Sequence, residues 1–187
     1  MEKIRCEWVK DASPLDKEYH DKVWGVPEHD DTKLFEYLVL EGMQAGLSWS
    51  MILKRKDTMR KAFDNYNLNK IIKYDQDKID ELLKDPGIIR NKLKVNAVII
   101  NAKLFKEIQN EFGSFSNYLW AFVDNKPIVN RWKSIADCPV STPLSDTISK
   151  DLKKRGFKFV GTTIIYAYLQ AVGVVNDHEE RCFCSNS

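Results

Sequence analysis

The sequence is poor in chain-breaking residues. Its 187 residues include 8 glycines and 6 prolines, well under the roughly 12% these two supply in an average protein. That scarcity excludes a collagen-like or linker-rich chain and argues against a sandwich of many short strands. No uninterrupted apolar run approaches the roughly 20 residues that a membrane-spanning helix needs. The opening MEKIRCEWVKDAS lacks the apolar core of a secretory leader. Cysteine is scarce too, with 4 in the chain, and a disulfide framework suits a cytosolic protein poorly. These absences describe a soluble, ordered, cytoplasmic protein with no membrane association, long enough to bury a core.

What is present is 43% hydrophobic and 30% charged, with a formal net charge of +2. That small total hides an asymmetry. Residues 1–50 hold 6 basic and 11 acidic side chains, and the remainder holds 23 and 16. The basic excess is clustered at Lys54-Arg55-Lys56, at Arg60-Lys61, at Arg90, Lys92 and Lys94, and from Lys150 to Lys158. Such clusters form an ordinary solvated surface, or, if they share one face, a surface for a polyanion such as DNA.

No repeat, low-complexity tract or linker divides the chain, so one domain spans 1–187. Hydrophobic periodicity is mostly helical. Thr32 is placed to cap a helix whose apolar face carries Leu34, Phe35, Leu38 and Val39. Ala45-Gly46-Leu47 reads as a turn. Ser48 then caps a helix with Met51, Ile52, Met59 and Phe63 inward. A short helix near 75–84 ends before Pro86-Gly87, and a long one follows over about 91–111. SFSNYLWAFV and SDTISKDLKKRG give two more, the second stopped by Gly156. FVGTTIIYAYLQAVG is ambiguous, because its β-branched run favours strand; its length and flanking glycines favour a buried helix. The expected class is all-α.

Three features point to chemistry. Cys6 and His20 lie near the start, and His178 and Cys182 near the end, the latter pair one helical turn apart. Together they make the donor set of a tetrahedral Cys2His2 zinc site; the alternative is four unrelated residues. Four protein donors would leave no open position, so such a zinc would be structural and would pin both termini. Cys184 is a possible substitute for Cys182, and Cys138 and His29 have no assigned role. Next, Glu41 follows Leu38 by three residues and Leu34 by seven, which puts a carboxylate on the apolar face of its helix. Carboxylates are rarely buried unless paired or functional. Glu41 therefore makes an interior salt bridge or serves a ligand pocket, and Trp8, Tyr19, Trp24 and Trp49 could form an aromatic cage around it. Finally, KIDELLKDPGIIRNKLKVNAVIINAKLF reads as helix, glycine turn and basic amphipathic helix. That is an ordinary helical hairpin, or a helix-hairpin-helix element in which Gly87 permits a tight backbone. In the latter case the following amides, with Arg90, Lys92 and Lys94, meet phosphates.

Taken in order, RCEWV, YHDKVWGVP, LFEYLVLEGMQAGLSW, GIIRNKLKVNAVIINA and LKKRGFKFVGTTIIYAYLQAVGVVNDH resemble the 3-methyladenine DNA glycosylase I family, nearly from end to end. The resemblance implies a helical fold of the helix-hairpin-helix glycosylase superfamily, with the hairpin at about 75–111. Zinc-binding termini at 1–25 and 174–187 would hold one structural Zn2+ through Cys6, His20, His178 and Cys182. It implies a monofunctional hydrolase of base-excision repair that flips 3-methyladenine out of double-stranded DNA and releases it without strand cleavage, acting as a monomer. Glu41 would be its catalytic carboxylate, with Tyr19, Trp49, Trp8 and Trp24 lining the base pocket, and Gly87, Arg90, Lys92 and Lys94 on the DNA. Asp16 departs from the pattern, standing where some relatives carry a further pocket tyrosine. The superfamily's usual catalytic aspartate after the hairpin is also missing, with VNAVIINAKLF in that region. Two rivals are a non-enzymatic binder of distorted DNA, which needs no buried Glu41, and a zinc hydrolase, which needs an open coordination position.

Overall fold

The computed structural model describes residues 3–185, so the first two and last two residues of the expected 1–187 domain lie outside the described part. A 3-10 turn over Glu7–Val9 leads into α1 (Pro14–Lys22), α2 (Asp31–Gln44) and α3 (Trp49–Ala62). The short α4 (Leu68–Ile71) and α5 (Gln76–Lys84) precede the long α6 (Lys92–Phe112). Then come α7 (Phe115–Ala121), α8 (Pro143–Arg155) and α9 (Thr162–Ala171). Among the described residues no helix is long and apolar enough to cross a membrane.

Local chemistry accounts for most of these boundaries. Ser48 caps α3 by accepting from the Met51 N–H, and Gly156 closes α8 in the left-handed conformation. Two expectations need correction. The cap of α2 is Asp30 rather than Thr32: its carboxylate accepts from the Lys33 N–H at 2.9 Å, and a charged acceptor at a helix N-terminus wins over a hydroxyl two residues later. Met51 points outward, 37% exposed, while Ile52, Met59 and Phe63 face the core. The segment ambiguous between strand and helix is helical as α9, and tertiary burial overrides its β-branched propensity.

The all-α expectation also needs an amendment. Ile128–Val129 (β1) and Val175–Asn176 (β2) pair in parallel, Ile128 with Val175 and Val129 with Asn176. Two-residue strands leave no alternation for a sequence to show. The pair matters because it ties the segment between α7 and α8 to the chain leaving α9. The core runs through α2, whose Leu34, Phe35, Leu38 and Leu40 are buried, to Phe105 on α6, Phe115 on α7 and Leu169 on α9. Helix α2 packs on α3, α6, α7 and α9, which makes it the central helix of the core.

Candidate functional site

Glu41 sits on α2, 4% exposed. It lines a cavity of about 230 Å3 with Trp8, Tyr19, Trp24 and Trp49. That volume is at or below the roughly 300–1,000 Å3 of drug-sized sites, the scale of a single flat base. Gln44, Ile135, Ala167 and Gln170 complete the lining. These four carry no signal in sequence, since Ile135 and Gln170 arrive from distant segments.

The walls come from several elements, α9 among them through Ala167 and Gln170. The 3-10 turn brings Trp8, α1 brings Tyr19, α2 brings Glu41, and α3 begins with Trp49. The Tyr19 and Trp49 rings lie 5.2 Å apart at 54°, and Trp8 meets Trp24 edge-on at 5.2 Å. The indole N–H groups of Trp8 and Trp49 are buried without an acceptor. Glu41 makes no hydrogen bond or ion pair with any described residue, and burial pushes its carboxyl up to about 8 from an ordinary 4.5. Tyr19 is also driven upward, by burial first and by Glu41 second. The pocket thus holds a lone carboxyl among aromatic faces, with two unpartnered indole N–H groups buried in the residues of its walls. Asp16 is turned away from it, accepting from the Ser13 and Ser50 hydroxyls at 2.5 and 3.0 Å, and so links α1 to α3.

Behind the tryptophans, Cys6, His20, His178 and Cys182 converge, all four buried, with donor atoms within 4.8 Å of one another. Sulfur-to-nitrogen distances are 3.5 Å for Cys6–His178, Cys182–His178 and Cys182–His20. A tetrahedral metal with bonds of about 2.3 Å to sulfur and 2.0–2.1 Å to nitrogen sets that edge at roughly 3.5 Å. The outer nitrogens are engaged. His20 Nδ1 lies 2.9 Å from the Asp21 carboxylate, and His178 Nε2 lies 2.9 Å from the Trp24 carbonyl oxygen. These acceptors assign the ring protons to the outside and leave a lone pair from each imidazole facing the cluster. Contact with Cys182 pushes the Cys6 thiol up, and the same contact holds Cys182 as thiolate. The residues therefore fit a metal ion with four protein donors. Cys184 is outside the four, its sulfur 4.0 Å from the Asp21 carbonyl oxygen. Trp8 and Trp24 lean on the two histidines of the cluster: Trp24 meets the His178 ring at 4.7 Å, and Trp8 meets that of His20 at 5.5 Å.

In the hairpin, a Cβ on Gly87 would come within 2.9 Å of Asp85 Oδ1 and 3.0 Å of Thr58 Cβ. Close approach, not a left-handed backbone, is what requires glycine there. The Gly87 carbonyl accepts from the Thr58 hydroxyl at 2.6 Å, docking the turn on α3. Arg90 and Lys92 are exposed beside the start of α6. Lys94 is not with them. It is 7% exposed, and its ammonium donates to the Met43 and Ala45 carbonyl oxygens at 2.8 and 2.6 Å. It closes the end of α2, where the last carbonyls lack helical partners, and so is not a phosphate contact.

A family model described as methyladenine glycosylase matches residues 8–185. The chain is 44% identical over 180 residues to DNA-3-methyladenine glycosylase 1 of Escherichia coli (strain K12), covering 96% of each. A crystal structure of 3-methyladenine DNA glycosylase I superposes with a TM-score of 0.93 at 46% identity, over 97% of this chain and 99% of that one. A 3-methyladenine DNA glycosylase I from Staphylococcus aureus, solved for its recognition of 3-methyladenine, gives a TM-score of 0.93 at 34% identity, over 98% of this chain and 96% of that one. The motifs, the fold and these likenesses agree, and the chain belongs to the methyladenine glycosylase family.

Proposed function

We propose that this protein hydrolyses the N-glycosidic bond joining 3-methyladenine to deoxyribose in double-stranded DNA, releasing the base at the first step of base-excision repair. One observation carries the reading: Glu41 is a buried, unpartnered carboxyl in a base-sized aromatic cavity. Burying such a group without a partner is unfavourable, so its retention makes sense when a ligand supplies the partner.

Alkylation at N3 gives the adenine a positive charge and weakens the glycosidic bond. The protein then has to extract and hold the base more than to activate water. Flipping costs a few kcal/mol, least for a damaged base. Desolvated cation–π contact with Tyr19 and Trp49 is worth up to about 2 kcal/mol. A charged hydrogen bond from the base's exocyclic amine to Glu41 adds roughly 1.5–3 kcal/mol. Interactions that strengthen as the bond breaks accelerate the reaction; uniform binding does not. No lysine lines the cavity, which supports hydrolysis without a covalent imine and hence without strand cleavage.

Cys6, His20, His178 and Cys182 would hold one Zn2+, whose contribution is to fix the two ends of the chain and the tryptophan wall resting on them. Four protein donors leave no position for a substrate, which disfavours the zinc-hydrolase reading. The hairpin around Gly87, with Arg90 and Lys92, would track the DNA backbone.

The test is release of free base from methylated duplex DNA, with and without brief exposure to a chelator. Free 3-methyladenine should appear in both, and the DNA should stay unbroken until alkali is added. Absence of base release by the metal-replete protein would overturn the glycosylase reading. Immediate loss of turnover in still-folded protein on metal removal would favour metal chemistry instead.

A further inference from the structure

A second concave surface lies outside the pocket and the hairpin. It is a cleft of about 510 Å3 into which Lys3, Arg5, Lys10, Lys17, Lys133 and Arg181 project, against two carboxylates, Glu7 and Glu179. Two of the six cations are engaged: Arg5 grips Asp21 with contacts at 2.8 and 2.9 Å, and Lys3 lies over the Phe183 ring at 4.4 Å. Lys10, Lys17, Lys133 and Arg181 form no ion pair among the described residues, and Lys10, Lys133 and Arg181 are exposed. Glu179 is occupied in part by accepting from the Glu7 N–H at 2.8 Å. The cleft therefore carries a net positive charge, with more cations than carboxylates.

Its frame is built rather than accidental. Three segments distant in sequence are joined by backbone hydrogen bonds, from the Phe183 N–H to the Ile4 carbonyl at 2.9 Å and from the Glu180 N–H to the Trp132 carbonyl at 2.8 Å. The Glu179 N–H also reaches Cys6 Sγ at 3.3 Å, anchoring the cleft to the Cys/His cluster. Two of these segments also furnish walls of the base cavity. Trp8 lies in the cavity and Lys10 in the cleft; Ile135 lies in the cavity and Lys133 in the cleft. The charge is therefore carried in part on segments that also wall the cavity, and none of it comes from α3, on which the hairpin docks.

We propose that this cleft is a second phosphodiester-binding surface, which holds the DNA backbone flanking the extruded nucleotide at a place the hairpin does not reach. The inference rests on the glycosylase reading and extends it. Unpaired lysine and arginine on segments that also wall a base cavity suit a polyanion that must pass the cavity whenever a base is inside. Gripping the duplex at two places would hold it bent away from the extruded base. Phosphate contacts position a duplex in this way without reading its sequence.

The experiment compares wild type, Lys10→Ala/Lys133→Ala/Arg181→Ala and Arg90→Ala/Lys92→Ala for binding to undamaged duplexes as salt is varied, with base release by wild type measured in parallel. Each lost contact removes about 0.9 from the slope of log affinity against log salt. The triple variant should therefore lose roughly two to three units, separately from any loss in the hairpin variant. Shortening the duplex on one flank should weaken wild type and leave the triple variant nearly unaffected, because it no longer contacts that flank. Lys133→Ala alone should lose about one unit, which guards against a misfolded triple variant. A wild-type slope and wild-type length dependence in folded variants would overturn the proposal while leaving base release intact. Failure of wild type to release base would count against the glycosylase reading, and the salt slopes would still decide whether the cleft binds DNA.

Discussion

Glu36 and Glu41 are both buried on α2, yet only Glu36 has a cation: Arg60 grips it with contacts at 2.6 and 2.8 Å, while Glu41 faces the aromatic cavity with no partner among the described residues. The first is a structural ion pair, and the second is the carboxyl that the proposed function assigns to the base. Arg60→Ala should therefore lower the melting temperature, because it strands a buried acceptor at a cost of about 1–3 kcal/mol. Glu41→Ala should spare the fold and reduce excision of 3-methyladenine roughly ten- to a hundred-fold, the loss of one charged hydrogen bond. A wild-type excision rate for Glu41→Ala would remove it from the mechanism.

The same contrast gives a pH dependence of stability. Burial raises the Glu41 carboxyl from 4.5 to about 8. Below about pH 4.5 both folded and unfolded forms carry the proton, and the stability linked to it is fully present. Between about 4.5 and 8 the unfolded chain ionises while the folded one resists, so that stability is lost as pH rises. Glu41→Gln cannot ionise. Its melting temperature relative to wild type should climb across this window and level off above about pH 8. A difference that stays flat with pH would show that the carboxyl is not raised.

Binding of a cationic base should reverse the shift. A positive charge in the cavity favours the carboxylate, so Glu41 should release a proton when the lesion enters near neutral pH. Calorimetry with a hydrolysis-resistant lesion duplex, in buffers of differing ionisation enthalpy, measures that release. Wild type should release a substantial fraction of one proton at pH 7, and Glu41→Gln should release almost none. Equal release by the two would place the titrating group elsewhere.

The Cys/His cluster separates two neighbouring cysteines. Cys182 lies 3.5 Å from both histidines, whereas Cys184 is outside the four donors and hydrogen-bonds through its N–H to the Cys182 sulfur at 3.4 Å. Cys182→Ser should lose bound zinc and much of the stability that metal binding supplies. Cys184→Ser should keep about one zinc per chain. Asp21→Asn should weaken metal affinity by about ten- to a hundred-fold, since the carboxylate orients His20 from outside. Elemental analysis and a chelator titration read all three. Zinc retained by Cys182→Ser and lost by Cys184→Ser would exchange their roles.

How much of this was legible in the sequence depends on whether a feature is local. Helical phase is local, so α2 and the inward placement of Glu41 follow from Leu34 and Leu38. Motif spacing brought out Cys6, His20, His178 and Cys182, but their meeting depends on how the two ends of the chain fold together. Ile135 and Gln170 enter the cavity through tertiary structure alone. The β1–β2 pair is too short to leave a pattern. Charge counting by sequence window misleads: residues 1–50 are net acidic yet supply Lys3, Arg5, Lys10 and Lys17 to the basic cleft.

Lys94 shows the same limit and permits a direct test. In sequence it is the third cation after the hairpin turn, equivalent to Arg90 and Lys92. In the fold, two helical positions beyond Lys92, it turns inward and ties α6 to the Met43 and Ala45 carbonyls. Those carbonyls end α2 and begin the turn that leads to Trp49, so the ammonium holds the segment between two cavity residues. Burial lowers its proton affinity, yet two charge-assisted hydrogen bonds remain worth roughly 1.5–3 kcal/mol each when a partner is removed. Lys94→Ala should therefore lower the melting temperature and leave the salt slope of DNA binding at the wild-type value. Arg90→Ala/Lys92→Ala should do the reverse, keeping the melting temperature and losing up to about two units of slope. Lys94→Met, which keeps most of the apolar stem without the charge, should recover part of the packing but not the carbonyl contacts. A loss of slope for Lys94→Ala equal to that of the hairpin cations, at unchanged melting temperature, would return Lys94 to the DNA face.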